Sequence, residues 1–427
     1  MGIILGNGKL INRTGELVPA EVLVTDGRIA AISERIDRDG HEWIDCKGGL
    51  ISAGFIDVHV HLREPGLEQK ETIATGANAA VRGGFTTIAC MPNTRPSIDS
   101  VETVRYILDK SRDAGTARVL PYGAITIRQL GKELTDFAGL KEAGIFALTD
   151  DGVGVQSAGM MKKAMQEATA LGLSIVAHCE DDTLLPPGGA LHDGVVAARH
   201  GLPGIPSESE SIHVGRDILL AEQTGVHYHV CHISAKESVR LVRDGKRSGV
   251  NVTCEVTPHH LLLCDEDIPE DLNTNWKMNP PLRSRDDRAA LIAGLKDGTI
   301  DIIATDHAPH TAEEKANGLE RAPFGIVGLE TAFPLLYTNL VLTGELTLKQ
   351  LVDFLTVKPA DCFQLPYGRL EIEAPADLTV IDLDTEKEVN PETFASKGKN
   401  TPFAGWKCKG WPVVTLVEGK IVYREQK

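Results

Sequence analysis

The sequence predicts an α/β chain: a closed (β/α)8 (TIM) barrel carrying a small β-sandwich domain formed by both termini. Three observations lead there. Eight apolar, largely β-branched runs follow one another through the middle of the chain, separated by stretches of helical character. Histidine or aspartate stands at the C-terminal end of five of those runs. The two ends of the chain carry short strands joined by glycine turns instead.

The eight runs are GFIDVHVH (54–61), FTTIACMP (85–92), ARVLPYGAI (117–125), GIFALTDD (144–151), LSIVAHCE (173–180), VHYHVCHIS (226–234), NVTCEVTPHH (251–260) and DIIATDHAPH (301–310). Between them, SVETVRYILDKSRDAG, AGMMKKAMQEATALG, GRDILLAEQTG and SRDDRAALIAGLKDG read as helices closed by glycine. A doubly wound open sheet is the alternative, but no GxGxxG follows the first strand. Near the N-terminus, VTDGRIAAI reads as a strand–turn–strand hairpin, and VEGKIVY repeats the pattern near the C-terminus. Residues 1–53 and 365–427 are therefore assigned to the small β domain and 54–364 to the barrel.

Composition narrows the function classes. A chain of 427 residues, 42% hydrophobic and 24% charged, has the make-up of a soluble globular protein with an ample core. The formal charge of −16 leaves no basic footprint for nucleic acid or an anionic membrane. The eight cysteines form no CxxC pair and sit mostly in apolar runs, so reduced thiols are expected. MGIILGNGKL has no basic region followed by a long apolar stretch, and no run approaches the roughly 18 apolar residues of a membrane span. A cytoplasmic enzyme is expected.

In a parallel barrel the chemistry sits at the C-terminal ends of the strands. The first run ends in Asp57-Val-His59-Val-His61, and alternation puts both histidines on one face. His178, His232, Asp306 and the pair Asp150-Asp151 stand at matching positions of four other runs. A lone strand histidine is more often a satisfied rim residue; this many at one end is not what core formation requires. Imidazoles and carboxylates together suit Zn2+, with Mn2+ or Co2+ also acceptable. Four histidines and two aspartates exceed one tetrahedral site, which points to two ions sharing a bridge. His227 and His229 lie before the end of their run, and His259 and His260 have no vacant coordination role. These four, with Cys179 and Cys231, are read as structural.

The motifs GFIDVHVHLREPG, MPNT, DDGVGVQ, AHCE, CHIS, TPHH, MNPPLR and ATDHAPH, in this order, resemble the type I bacterial dihydroorotases of the amidohydrolase superfamily. The resemblance spans nearly the whole chain. It implies zinc, one or two ions with two favoured: His59 and His61 on the more buried ion, His178 and His232 on the second, Asp151 bridging, and Asp306 as both ligand and catalytic proton shuttle. It implies reversible cyclisation of N-carbamoyl-L-aspartate to L-dihydroorotate, a step of pyrimidine synthesis, by a metal-activated hydroxide. Substrate contacts are expected from His61, Arg63, Asn93, Asn279, His310, Phe324 and Gly325, with the Arg63 fork reading the free carboxylate. Asp57 is expected to orient a ligand histidine. Hydantoinases and allantoinases carry a modified lysine on strand 4; GIFALTDD has none, the nearest being Lys141. Two other readings stay open: a hydantoinase- or allantoinase-like amidase, and a non-catalytic partner of aspartate transcarbamoylase. A homodimer is a further open assembly. The polar stretch TAEEKANGLERAP (311–323) reads as a mobile loop over the site.

Overall fold

In the computed structural model, which describes residues 2–426, the chain opens with β1 (Ile3–Ile11), β2 (Leu17–Thr25), β3 (Arg28–Ser33), β4 (Glu42–Asp45) and β5 (Leu50–Ala53). The barrel follows: β6 (Phe55–Val60), β7 (Phe85–Cys90), β8 (Arg118–Pro121) and β9 (Ile175–Ala177). A ribbon of β10 (Leu191–His192) and β11 (Gly204–Ile205) precedes β12 (Tyr228–Val230), β13 (Val252–Val256) and β14 (Ile302–Ile303). The chain closes with β15 (Leu378–Asp382), β16 (Lys387–Glu388), β17 (Lys407–Cys408), β18 (Trp411–Val417) and β19 (Lys420–Arg424).

Parallel pairing runs β6–β7–β8 and β9–β12–β13–β14. Single parallel bridges close the ring: Leu148 to both Gly123 and Ile175, and His307 to Val60. The expected fourth strand is thus present in place but not as a regular strand. Gly144 (φ 104) still closes the preceding helix, and Asp150 already bends onto the backbone N–H groups of Ile125 and Thr126. Between them Ala147, Leu148 and Thr149 are bonded on both sides, for example Gly123 N–H to Ala147 at 2.9 Å and Val176 N–H to Leu148 at 2.8 Å.

The helices Val101–Ala114, Ala158–Leu171 and Arg285–Lys296 start on the side chains of Ser100, Ser157 and Ser284, which accept from the first turn. The helix Glu208–Thr224 begins earlier than its sequence signal. The seventh run departs from expectation. β13 stops at Val256, the Thr257 side chain accepts from the His260 N–H, and Pro258 starts a helix, so His259 and His260 lie on a first helical turn. Among the described residues no helix is long and apolar enough to cross a membrane.

Outside the barrel, one eight-stranded sheet runs β19-β18-β15-β5-β1-β2-β3, with β4 also on β1. β1 pairs β4 over its first half and β5 at Lys9, so the sheet folds over its own core of Leu5, Val22, Ile44, Leu378, Val380 and Leu416. Its two tight turns, Asp26-Gly27 (φ 52 and 76) and Glu418-Gly419 (φ 49 and 75), come from opposite termini and meet. A Cβ on Gly419 would lie 3.0 Å from the Gly27 Cα. The stretch from β16 to β17 falls within the range assigned to the small domain but leaves this sheet. Val389, Phe403 and Cys408 bury their apolar surface against Leu263, Met278, Ile326 and Leu335 on the barrel.

Candidate active site

Where β6 ends, His59 and His61 enter the barrel mouth with ring centroids 5.5 Å apart. His59 Nε2 lies 3.5 Å from Asp151 Oδ1 and 3.4 Å from Asp306 Oδ1; His61 Nε2 lies 3.0 Å from Asp306 Oδ1 and 3.5 Å from Asp151 Oδ2. Across Asp151, His178 Nδ1 and His232 Nε2 face each other at 3.0 Å, each 3.8 Å from Asp151 Oδ1. Donor atoms gather into His59–His61–Asp151 and Asp151–His178–His232, which share only Asp151, while His59–His232–Asp306 links them. The structure therefore brings together all six residues expected as ligands.

These contacts suit a cation. His59 gives its Nδ1 proton to Glu255, which leaves a lone pair on Nε2; that atom and Asp151 Oδ1 are buried without a hydrogen-bond partner among the described residues. His61 gives its Nδ1 proton to Asn93 Oδ1 at 2.9 Å, so Nε2 turns a second lone pair on Asp306. Lone pairs aimed at one another 3.0–3.5 Å apart need a positive centre between them. Ligand atoms about 2.0–2.1 Å from a tetrahedral zinc stand about 3.3 Å from each other.

Electrostatics agree. Burial alone would raise Asp151, but the imidazoles of His59 and His232 hold it well below the usual carboxylate range. Asp306 is likewise lowered against its burial by His59 and His61. Burial pulls His59 down, yet the carboxylates of Glu255 and Asp151 raise it well above an ordinary imidazole: the cluster draws positive charge to Nε2, as a proton or as a metal ion. Two positions of the cluster are also strained: His232 has φ 26 and Asp306 φ 49, in the left-handed region.

A cavity of about 190 Å³ adjoins this cluster, lined by His61, Asp151, His178, His232 and Asp306 together with Arg63, Asn93, Asn279, His310, Phe324 and Gly325. It is smaller than the roughly 300–1,000 Å³ clefts of drug-sized ligands, a size for one small ring. Arg63 does not continue the strand face: its φ is 63, and the turn carries the guanidinium into the pocket wall. There Nε donates to the Pro309 carbonyl at 3.3 Å. Neither Glu64 nor Glu68 pairs with it; Glu64 accepts from Tyr106 and Ile73, and Glu68 from Gly66. Among the described residues Arg63 has no ion pair, and burial lowers its pKa to about 10.

His310 donates Nε2–H to the Phe324 carbonyl at 2.8 Å, leaving Nδ1 to face Lys70 Nζ at 3.3 Å. Burial, Arg63, Lys70 and Lys315 together keep this ring neutral. Asn279 donates to Glu180 Oε2 at 3.1 Å, and Glu180 stands 3.5 Å from His178 Nε2. Both backbone groups of Gly325 are already engaged: its N–H with Lys277, its carbonyl with Lys315 and Asn400. With φ 119, and a Cβ position 2.5 Å from Ala308 Cβ, only glycine lets the pocket wall close there.

Some expectations move. Asp57 binds the backbone N–H groups of His59 and Thr305 rather than a ligand ring. The ring of His59 is oriented by Glu255, which the sequence reading passed over; the one signal was a glutamate inside the apolar run NVTCEV. Glu255 also accepts from His229, giving that histidine a supporting place. Residues 311–323 form two short helical turns, Ala312–Lys315 and Gly318–Arg321, where a loop was expected. They are tied down by Lys315 Nζ on the carbonyls of Lys277, Pro323 and Gly325.

Residues 48–238 match the dihydro-orotase-like family. The chain is 82% identical over 424 residues to a dihydroorotase of Brevibacillus brevis, covering 99% of this chain and 100% of that one. It is 62% identical over 427 residues to a dihydroorotase of Halalkalibacterium halodurans, covering 100% and 99%. Among solved structures, an L-hydantoinase (dihydropyrimidinase) from Arthrobacter aurescens superposes with a TM-score of 0.87 at 29% identity, over 100% of this chain and 96% of that one.

Proposed function

The chain belongs to the dihydroorotase family, and from that premise we propose that it interconverts N-carbamoyl-L-aspartate and L-dihydroorotate in pyrimidine synthesis, in the cytoplasm. One observation carries the substrate: among the described residues Arg63 is a buried guanidinium without an ion pair, lining the same small cavity as the histidine–aspartate cluster. A buried charge left unpaired is costly, so the pocket is built to receive an anion. Dihydroorotate carries its ring carboxylate where hydantoin and dihydrouracil carry none. The solved hydantoinase neighbour favours a general ring-amide hydrolase as the second reading, but GIFALTDD again supplies no lysine.

In this proposal residues 54–364 are the catalytic barrel, and 1–53 with 365–427 the small β domain. Zn2+ would be the ion, two per chain favoured: His59, His61 and Asp306 would hold one, His178 and His232 the other, with Asp151 available to both. Bound there, such ions supply Lewis-acid polarisation of the ring carbonyl and a water of lowered pKa. Asp306, on the cavity wall beside His61, accepts a proton and returns it to the ring nitrogen as the amide opens. In the cyclising direction it takes the proton from the ureido nitrogen as that atom attacks the side-chain carboxyl, and hands it to the carboxyl oxygen whose C–O bond breaks and which leaves as hydroxide. Glu255 and Asn93 keep the rings of His59 and His61 turned inward. Arg63 grips the free carboxylate, with His310 and Asn279 beside it. Homodimerisation and association with an aspartate transcarbamoylase belong to the same proposal, and sedimentation of the protein alone and with that enzyme tests them.

The decisive assay compares dihydroorotate, dihydrouracil and hydantoin on purified protein. Dihydroorotate should be much the best substrate. Arg63→Lys keeps charge but not the fork, so dihydroorotate should lose about 1.5–3 kcal/mol of binding while dihydrouracil changes little. A wild-type preference for dihydrouracil or hydantoin, or a preference untouched by the substitution, replaces this reading with the general ring-amide one.

A further inference from the structure

The carboxylate-reading corner is assembled from two segments distant in sequence: Ala308–His310 beyond β14, and Phe324–Val327. Beside the His310–Phe324 bond and the Ala308 N–H on the Ile326 carbonyl at 2.8 Å, one buried amide ties both segments to a third. Asn400 Oδ1 accepts the His310 N–H at 3.0 Å, and its Nδ2 donates to the carbonyls of Ala308 and Gly325, both at 3.0 Å. Its own carbonyl accepts the Val327 N–H at 2.9 Å. Both amide protons and the amide oxygen are therefore used on pocket-wall backbone, and the residue is 4% exposed.

Asn400 is itself fixed. Residues 394–400 form a strap clamped by two buried carboxylates. Glu330 accepts from the Ala395 and Ser396 N–H groups; Glu71 accepts from the Lys397 N–H and the Ser396 hydroxyl. The strap also runs so near the wall that a Cβ on Gly398 would lie 2.6 Å from Pro309 Cβ. Pro309 is the residue whose carbonyl takes Arg63 Nε. A chain of direct contacts thus runs from the strap through residues 308–310 to the guanidinium.

We propose that Asn400 is a positioning residue for recognition of the substrate's free carboxylate, setting the place of Arg63 and His310 without touching substrate. This rests on the dihydroorotase reading. Asn400 holds the carboxylate corner and bonds no metal-cluster side chain, so its loss weakens binding of a ring that carries the carboxylate and spares one that does not.

The experiment measures kcat and KM for dihydroorotate and dihydrouracil on metal-loaded wild type, Asn400→Ser and Gly398→Ala. Asn400→Ser removes the reach of the amide. Gly398→Ala keeps every bonding group in the chain but puts a Cβ 2.6 Å from Pro309 Cβ and 2.9 Å from Asn400 Oδ1, which pushes the strap and its amide off the wall. Both variants should raise KM for dihydroorotate about tenfold or more with a smaller change in kcat. Dihydrouracil kcat/KM and bound metal should stay within about twofold of wild type. Equal losses on both substrates, no loss on either, or failure of both variants to fold would make the strap merely structural and overturn the proposal. If Asn400→Ser alone fails to fold, Gly398→Ala decides. A wild type that does not prefer dihydroorotate sinks the underlying reading instead, before any variant is compared.

Discussion

At the floor of the barrel, His227 bonds the hydroxyls of Ser174 and Thr253 at 2.8 Å each, and burial with its neighbour His229 pushes its pKa down to about 4. At the mouth, His59 is more deeply buried, which by itself would lower it further, yet it meets Glu255, Asp151 and Asp306 and is raised well above an ordinary imidazole. Partners, not depth, set the difference. Hydroxyls satisfy a neutral ring and ask nothing more of it. Ionised carboxylates instead draw positive charge to the ring, as a proton or as a metal ion. A histidine is thus identified as ligand or structural post by what its second nitrogen faces, which is why His229, between Thr253 and Glu255, occupies an intermediate place.

The comparison breaks most visibly at Asp306. Asp306→Asn keeps the shape and removes the basic oxygen, so kcat on dihydroorotate should fall by roughly 10²–10⁴ with much less change in KM. Turnover within about threefold of wild type would remove Asp306 from proton transfer. Glu255→Gln comes next. It retains a hydrogen-bond acceptor for His59 without the charge, and zinc affinity or activity should drop about 10–100-fold, read by competition with a chromogenic chelator. Unchanged affinity would mean the mouth does not need its outer carboxylate.

The smallest effect belongs to the floor. His227→Asn should leave kcat unaltered and cost about 0.5–1.5 kcal/mol for each hydrogen bond lost, measured by urea unfolding. The pH dependence has a definite sign. The folded pKa of about 4 lies below the free value of 6.5, so the unfolded chain binds the proton more tightly. This contribution to stability is complete above pH 6.5 and is lost as pH falls toward about 4. The melting temperature of wild type should fall across that window, and less steeply in His227→Asn; parallel slopes would contradict the floor assignment.

Much of this was legible in the sequence. Apolar β-branched runs mark strands buried on both faces, and polar residues at their C-terminal ends stand out because nothing in a core asks for them. Hence His59, His61, His178, His232, Asp306 and the pair Asp150-Asp151 were found together, and the family resemblance singled out Asp151. What stayed hidden depends on contacts between distant segments. Glu255 meets His59 across 196 positions of chain, and on its own strand it looks like any polar interruption. Thr257-Pro258 carried a helix-start signal, but the apolar run before it masked the change of structure. The strap to Asn400 has neither helical nor strand periodicity, since its residues are chosen for single bonds to Glu71, Glu330 and the pocket wall.

The central claim is that the mouth cluster is a metal centre on which dihydroorotate chemistry depends. The most direct test strips the purified protein with a chelator, returns zinc in measured steps, and follows loss of dihydroorotate absorbance beside elemental analysis of each sample. Activity should vanish on stripping and return in proportion to bound zinc, reaching its ceiling near two ions per chain. Full turnover by stripped protein, or zinc uptake that restores none, would contradict it.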